Sequence, residues 1–365
     1  MSEWQTFCLK DLGKIVGGAT PSTNNPKNYG NKIAWITPKD LSTLQGRYIK
    51  KGSRSISRLG FKSCSTFLLP KHAILFSSRA PIGYVAIAKK RLCTNQGFKS
   101  IIPNKKIYFE FLYYLLKYHK DSISNIGGGT TFKEVSGATL GLFKVKIPPT
   151  YYEQQKIART LSILDQKIEN NHKINELLHT LAYKIYEYYF KYKPKNAKLE
   201  QIIIENPKSS IMVKNAQKTQ DKYPFFTSGD NILSYPKAII DGRNCFLNTG
   251  GNAGIKFYVG KASYSTDTWC ICANEFSDYL YLLLSNIKTH INQSFFQGTS
   301  LKHLQKNLLK KYPIYMPSVH EIKKFNQIIM PLLTLISINT RTSKKLEQIR
   351  DFLLPLLLKR QVKPQ

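Results

Sequence analysis

Residues 148–190 read PPTYYEQQKIARTLSILDQKIENNHKINELLHTLAYKIYEYYF, and most of that pattern returns 168 residues later. Pro149 falls on Pro317, Thr150 on Ser318, Glu153 on Glu321, Lys156 on Lys324, Ile157 on Phe325, Leu161 on Ile329, Leu164 on Leu332, Ile168 on Ile336, Asn171 on Asn339 and Leu178 on Leu346, without a gap. Both copies open with a hydroxyl residue followed three places on by glutamate, the pattern of a helix capping box. In the first copy Ile157, Leu161, Leu164, Ile168, Asn171, Asn175, Leu178, Ala182, Ile185 and Tyr189 step by four and three, the spacing of a coiled-coil seam. The second follows with Phe325, Ile329, Leu332, Ile336, Asn339, Ser343, Leu346, Leu353 and Leu357, broken at Arg350. Asn171 and Asn339 sit at matched points and are expected to hydrogen-bond each other and fix register. Pro331 and Pro355 are expected to kink or restart the second helix. Two unrelated amphipathic helices on two separate cores are the plainer alternative.

At 365 residues the chain can bury two cores, and its 42% apolar content excludes general disorder. Fifty-five Lys and Arg against 22 Asp and Glu leave a net charge of +33, which repels itself unless a polyanion lies against it. Nucleic acid is the expected partner, with 22 Tyr and 19 Phe available for cores or bases. A Lys-rich protein with no such partner explains part of the excess. Cys8, Cys64, Cys93, Cys245, Cys270 and Cys272 form no C-x-x-C pair, so free thiols in a reducing compartment are expected. The N-terminus lacks the apolar core of a signal peptide. The longest apolar runs, near 328–335 and 352–358, are short and interrupted by proline, so no membrane span and a cytoplasmic location are expected.

Residues 1–147 read as a mixed α/β domain, 148–193 as the first long helix, 194–316 as a second domain and 317–362 as the second long helix. The domains repeat on a smaller scale. FLNTGGNAGIKFYVGKA stands where ILFSSRAPIGYVAIAKK stood, STDTWCIC where CTNQGFKSI stood, FSDYLYLLLSNIKTHI where IYFEFLYYLLKYHK stood, and FQGTSLKHL where GGGTTFKEV stood.

An amino-directed DNA methyltransferase needs an N/D-P-P-Y/F loop for the flipped base and a glycine-rich loop after a strand for its methyl donor. Asn25-Pro26-Lys27 and Asn206-Pro207-Lys208 lack the second proline and the aromatic, and Gly127-Gly128-Gly129 follows a helix. Glu321-Ile322-Lys323 has nuclease-like spacing but lies within a capping box. What remains is binding chemistry. Thr130, Thr131 and Lys133, and again Thr299, Ser300 and Lys302, place hydroxyls and an ammonium beside glycine amides, as suits phosphate or base edges; ordinary helix caps are the alternative. Arg79, in a tight turn, could read guanine with its planar fork or form a structural ion pair. Asn95, Gln96, Asp267 and Thr268 are donor and acceptor side chains whose alternative is a buried hydrogen bond, and Lys39, Thr249 and Asn252 complete the candidates.

GKIVGGATPSTNNPKNYGNKIAWITPKDL, SSRAPIGYVAIA, CTNQGFKSI, GGGTTFKEV and IPPTYYEQQKIARTLSILDQKIE closely resemble the specificity subunit of type I restriction-modification systems. The resemblance spans essentially the whole chain and its duplicated plan. It implies an α+β fold: two α/β target recognition domains in tandem pseudo-repeat, separated by two long helices forming an antiparallel coiled coil. It also implies no catalysis and no cofactor in this chain, each domain reading half of a split double-stranded DNA site. Two modification subunits holding S-adenosylmethionine would dock around the helices, with restriction subunits using ATP and magnesium joining them. The sequence departs at YGNKIAWIT, where many relatives carry Trp-Gly-Gly, and its second domain is shorter. A helix over 150–190 is roughly 60 Å long at ~1.5 Å per residue, enough to set a spacer of one to two DNA turns. The competing readings are a self-contained DNA methyltransferase and a sequence-neutral nucleic-acid-binding coiled-coil protein.

Overall fold

A computed structural model of the chain describes residues 3–129, 133–216 and 222–364. They divide into two compact units, one made of residues up to 169 with those from 344 onward, the other of residues 170–343. The long helices run Tyr151–Phe190 and Val319–Leu358, 40 residues each, and each lends residues to both units. The mixed sheets, the tandem plan and the two long helices are the α+β architecture expected from the sequence.

In the first unit Gln5–Cys8 pairs antiparallel with Lys144–Ile147. A five-stranded sheet follows the order Gly13–Gly17, Lys99–Pro103, Ile74–Phe76, Val85–Ala88, Tyr48–Ile49, and a three-stranded sheet the order Arg54–Ile56, Tyr29–Ile36, Cys93–Thr94. Ile74–Phe76 is apolar throughout because it is buried on both faces at the middle of its sheet. The helix Phe109–Asn125 buries Phe111, Leu112, Leu115 and Leu116 in a core that also takes Ile157 and Leu161 from the first long helix and Leu354 and Leu357 from the second.

The second unit repeats this plan. Ala197–Lys198 pairs with Pro313–Ile314. A four-stranded sheet runs Ile204–Glu205, Thr268–Cys272, Arg243–Asn248, Ile255–Val259, and a three-stranded one Leu233–Tyr235, Tyr223–Phe226, Ser263–Tyr264. In both three-stranded sheets the last pairing is parallel. Among the described residues Tyr48–Ile49 has no counterpart in the second unit, and the second unit's paired strands Phe296–Gln297 and His303–Leu304 answer only to an isolated bridge between Gly128 and Glu134 in the first. Helix Ser277–Asn286 packs Tyr279, Leu280, Leu283 and Leu284 against Ala182, Tyr186 and Phe190 of the first long helix and Phe325, Ile329 and Leu333 of the second.

Every apolar seam position named from the sequence is buried or half-buried. Within the second unit the helices are antiparallel: Phe325 meets Phe190, while Ser343 meets Asn171. This pairing overturns the expected Asn171–Asn339 bond. Asn171 Nδ2 donates to Ser343 Oγ at 3.1 Å, and Asn339 Nδ2 to Asn175 Oδ1 at 2.9 Å. The 168-residue repeat exchanges these two bonds, since Asn171 maps on Asn339 and Ser343 on Asn175. Each asparagine thus meets a residue four positions beyond its translational equivalent. The second helix runs without interruption through Pro331 and Pro355, so neither proline restarts it. Pro331 lies on the exposed face, where water can satisfy the carbonyl whose amide partner is lost.

Both caps form. Glu153 N donates to Thr150 Oγ1 at 3.2 Å, and Glu321 N to Ser318 Oγ at 3.3 Å while Glu321 Oε2 accepts from Ser318 N at 2.9 Å. The Ser318 amide and the Tyr315 hydroxyl hold the Glu321 carboxyl down at about 2. An unfolded glutamate titrates near ~4.3, so this cap stabilises fully above that pH and is lost as pH falls towards 2. We expect first-turn amides of the second long helix to lose hydrogen-exchange protection between pH 5 and 2, and Glu321→Gln to remove that dependence. Protection that stays constant across the range would refute the assignment.

Candidate nucleic-acid interface

In each unit three loops close on one another through the same backbone hydrogen bonds. In the first, Ser78 N donates to Gly97 O at 2.8 Å, Val135 N to Ser78 O at 3.0 Å and Asn95 N to Ile36 O at 2.9 Å. In the second, Thr249 N donates to Asp267 O at 3.2 Å, Leu304 N to Thr249 O at 3.0 Å and Ser265 N to Phe226 O at 2.9 Å. The hydroxyls match too, Ser78 Oγ bonding Gly97 O and Thr249 Oγ1 bonding Asp267 O. Such bonds hold irregular loops in one geometry, which a surface for a specific partner requires.

In the first cluster the 77–83 turn contains a cis Ala80–Pro81 peptide and a left-handed Ala80. It carries Arg79 alongside Glu134, NH1 to Oε2 at 3.3 Å, and Lys99 Nζ reaches the other carboxylate oxygen at 3.3 Å. Arg79 and Glu134 remain 37% and 34% exposed. The ion pair therefore contributes little stability, but it orients a guanidinium whose fork is still open to a partner. Asn95 Oδ1 accepts from Gly97 N at 3.0 Å, closing an Asx turn, and the exposed Gln96 accepts from Thr20 Oγ1. A Cβ on Gly97 would lie 2.9 Å from Pro38 Cγ, so glycine lets the Pro38–Ser42 helix, with exposed Lys39, close on this turn. Lys133 is exposed, and Thr130 and Thr131 lie outside the described residues.

In the second cluster Thr299, Ser300 and Lys302 are exposed on a loop that bends at Gly298, whose φ is 139°. Gly251 N donates to Lys302 O at 2.9 Å and brings the loop to the 248–254 turn, where Asn252 is exposed. Asp267 is half-buried and accepts from Ser265 Oγ. Thr268 is buried, its hydroxyl bonding Phe226 O at 3.3 Å, so it serves an internal hydrogen bond. Beneath the turn Lys256 Nζ donates to Thr227 O at 2.7 Å and to Asn248 Oδ1 at 3.3 Å, and burial pushes its ammonium below the ordinary lysine value. Glu134, the acidic partner of Arg79 among the described residues, was not among the candidates. Its signal was present in GGGTTFKEV, whose glutamate aligns with His303 of FQGTSLKHL.

The chain thus contains two copies of one sheet-and-helix unit, each closing three polar loops on one another through matched hydrogen bonds. The family profile described as the type I restriction modification DNA specificity domain matches residues 1–180 and again 195–348, and the chain belongs to that family. It is 33% identical to the type I restriction enzyme MjaIX specificity subunit of Methanocaldococcus jannaschii, over 98% of this chain and 93% of that one. It is 30% identical to the HindI specificity subunit of Haemophilus influenzae over 46% of this chain and 37% of the relative. The crystal structure of a type-I restriction-modification system S subunit from M. genitalium shares the fold, with a TM-score of 0.62 at 18% identity over 97% of this chain and 96% of that one. No helix among the described residues is long and apolar enough to cross a membrane.

Proposed function

We propose that this chain is the DNA-reading subunit of a type I restriction-modification complex, each unit recognising one half of a bipartite double-stranded site. The observation that carries this is the loop scaffold built twice by the same hydrogen bonds in a chain of the DNA specificity family. The +33 charge supplies the sequence-independent attraction to phosphates that such reading requires. Methylation belongs to modification subunits holding S-adenosylmethionine, and cleavage to restriction subunits using ATP and magnesium. The long helices offer the modification subunits a surface: Ile174, Leu177, Leu181 and Tyr188 are exposed on the first and Ile328, Leu335 and Ile338 on the second. A second apolar stripe outside the buried seam marks a helix that expects a partner.

The unread spacer between the half-sites follows from helix length. Deleting residues 171–177 together with 337–343 removes one heptad from each helix at facing positions and keeps both seams in phase. It shortens each helix by about 10 Å. The spacer should contract by up to about three base pairs, with both half-sites retained. Mapping methylated adenines in cells carrying either form checks this. An altered half-site with an unaltered spacer would contradict it, and methylation at random sequences would favour a sequence-neutral binder.

A further inference from the structure

The two loop clusters share a scaffold but differ in the side chains at its centre. The bond from Val135 N to Ser78 O corresponds to that from Leu304 N to Thr249 O, so Glu134 occupies the place of His303 and Arg79 that of Gly250. The next position confirms the register, because Ala80 and Gly251 are both left-handed, with φ of 51° and 78°. Gly250 itself has no such conformational need, since its φ is not in the left-handed range. Nor does crowding require it: a Cβ there would meet only Lys302 O at 3.9 Å and His303 Nδ1 at 4.0 Å. A residue that neither backbone nor packing demands to be glycine leaves open space beside an exposed imidazole. The matching space in the first unit is filled by the Arg79–Glu134 ion pair.

Resting on the DNA-reading assignment above, we infer that residues 79 and 134 in the first unit, and 250 and 303 in the second, determine which bases the two half-sites contain, and that His303 is the base reader of the second. The Arg79 fork, oriented by Glu134, suits the paired acceptors of guanine in the major groove. An imidazole presents one N–H, suited to a single purine acceptor, and the bare backbone at Gly250 lets a base edge approach it closely. One scaffold thus gives two specificities by exchanging two side chains.

The test is selection of bound duplexes from a random library by the full chain assembled with its modification subunits, followed by sequencing. Arg79→Ala should flatten the preference at one or two base pairs of one half-site, and His303→Ala should do so in the other. Each preference should fall from roughly 5- to 150-fold towards none. His303→Gln, whose amide still offers N–H donors, should retain a purine preference. Gly250→Arg combined with His303→Glu should move the second half-site towards guanine. The inference is overturned if His303→Ala leaves both half-sites unchanged, if it weakens all duplexes equally, or if it and Arg79→Ala alter the same half-site. A wild-type assembly that selects no motif at all overturns the DNA-reading assignment itself, and this inference with it.

Discussion

Replacing Arg243 with leucine should cost the second unit about 3–5 kcal/mol, the loss expected when one partner of a buried ion pair is removed. Arg243 opens the central strand Arg243–Asn248, and its Nε and NH2 grip both oxygens of Asp278 at 2.6 and 2.5 Å. The same guanidinium donates to Thr334 Oγ1 at 3.0 Å and Met330 O at 3.3 Å, tying the sheet to the second long helix within that unit. Leucine would leave the Asp278 carboxylate, 2% exposed, with its countercharge gone. Burial already pushes this carboxyl above the ordinary range even with arginine beside it, so the variant should take up a proton on folding. A raised folded value gives stability that is present at low pH and lost as pH rises through it. The Arg243→Leu protein should therefore be least stable at neutral pH and recover part of its loss on acidification. Arg243→Leu with Asp278→Leu should regain most of the loss, because the cost lies in the unpaired charge. Since the chain has two units, hydrogen exchange resolved by segment is the appropriate measurement. A loss below about 1 kcal/mol would mean that water reaches the pair.

The second large effect belongs to the first unit, where Asp165→Ala should cost a similar 3–5 kcal/mol. Asp165 lies on the first long helix, buried, and accepts from Arg350 NH1 at 2.7 Å and from the Tyr114 hydroxyl at 2.6 Å. Arg47, itself buried, lies 4.0 Å away and is bound to Glu110 and Glu169, both at 3.1 Å. Alanine removes the acceptor shared by Arg350 and Tyr114, leaving Arg350 with Asp351, which is 61% exposed. Asp165→Asn keeps an oxygen for one of them and should cost less, about 1–3 kcal/mol. Protection should fall in helix Phe109–Asn125 and in the facing stretches of both long helices, while residues 170–343 keep theirs. Loss spread evenly over both units would refute this local account. Together the two variants test whether each unit stands on its own charged anchor.

Much of this arrangement was legible in one dimension because helices and caps are local. Four-three spacing, a hydroxyl three residues before glutamate, and the repeat of both at 168 residues specified two equal helices and a doubled chain before any contact was known. The order of segments along the second unit could be read by laying them over those of the first. The loops were legible only in outline: their composition marked Arg79, Lys133, Thr299 and Lys302 as candidates for binding, but not what each would touch within the chain.

The tertiary structure decided what depends on antiparallel pairing and on packing across the chain. Arg350 breaks the apolar seam in sequence, yet it stands opposite Asp165, so the interruption is half of an ion pair. Asn171 bonds Ser343 rather than its translational equivalent Asn339, because the antiparallel register sets it opposite a residue four positions further along. The repeat maps Glu110 on Asp278, but the arginines that bind these acids, Arg47 and Arg243, come from unrelated places in the two halves. Such partners lie far apart along the chain, and a local pattern carries no record of them. Hydrophobic period and capping fix how each segment folds; which side chains meet is settled only when the segments pack.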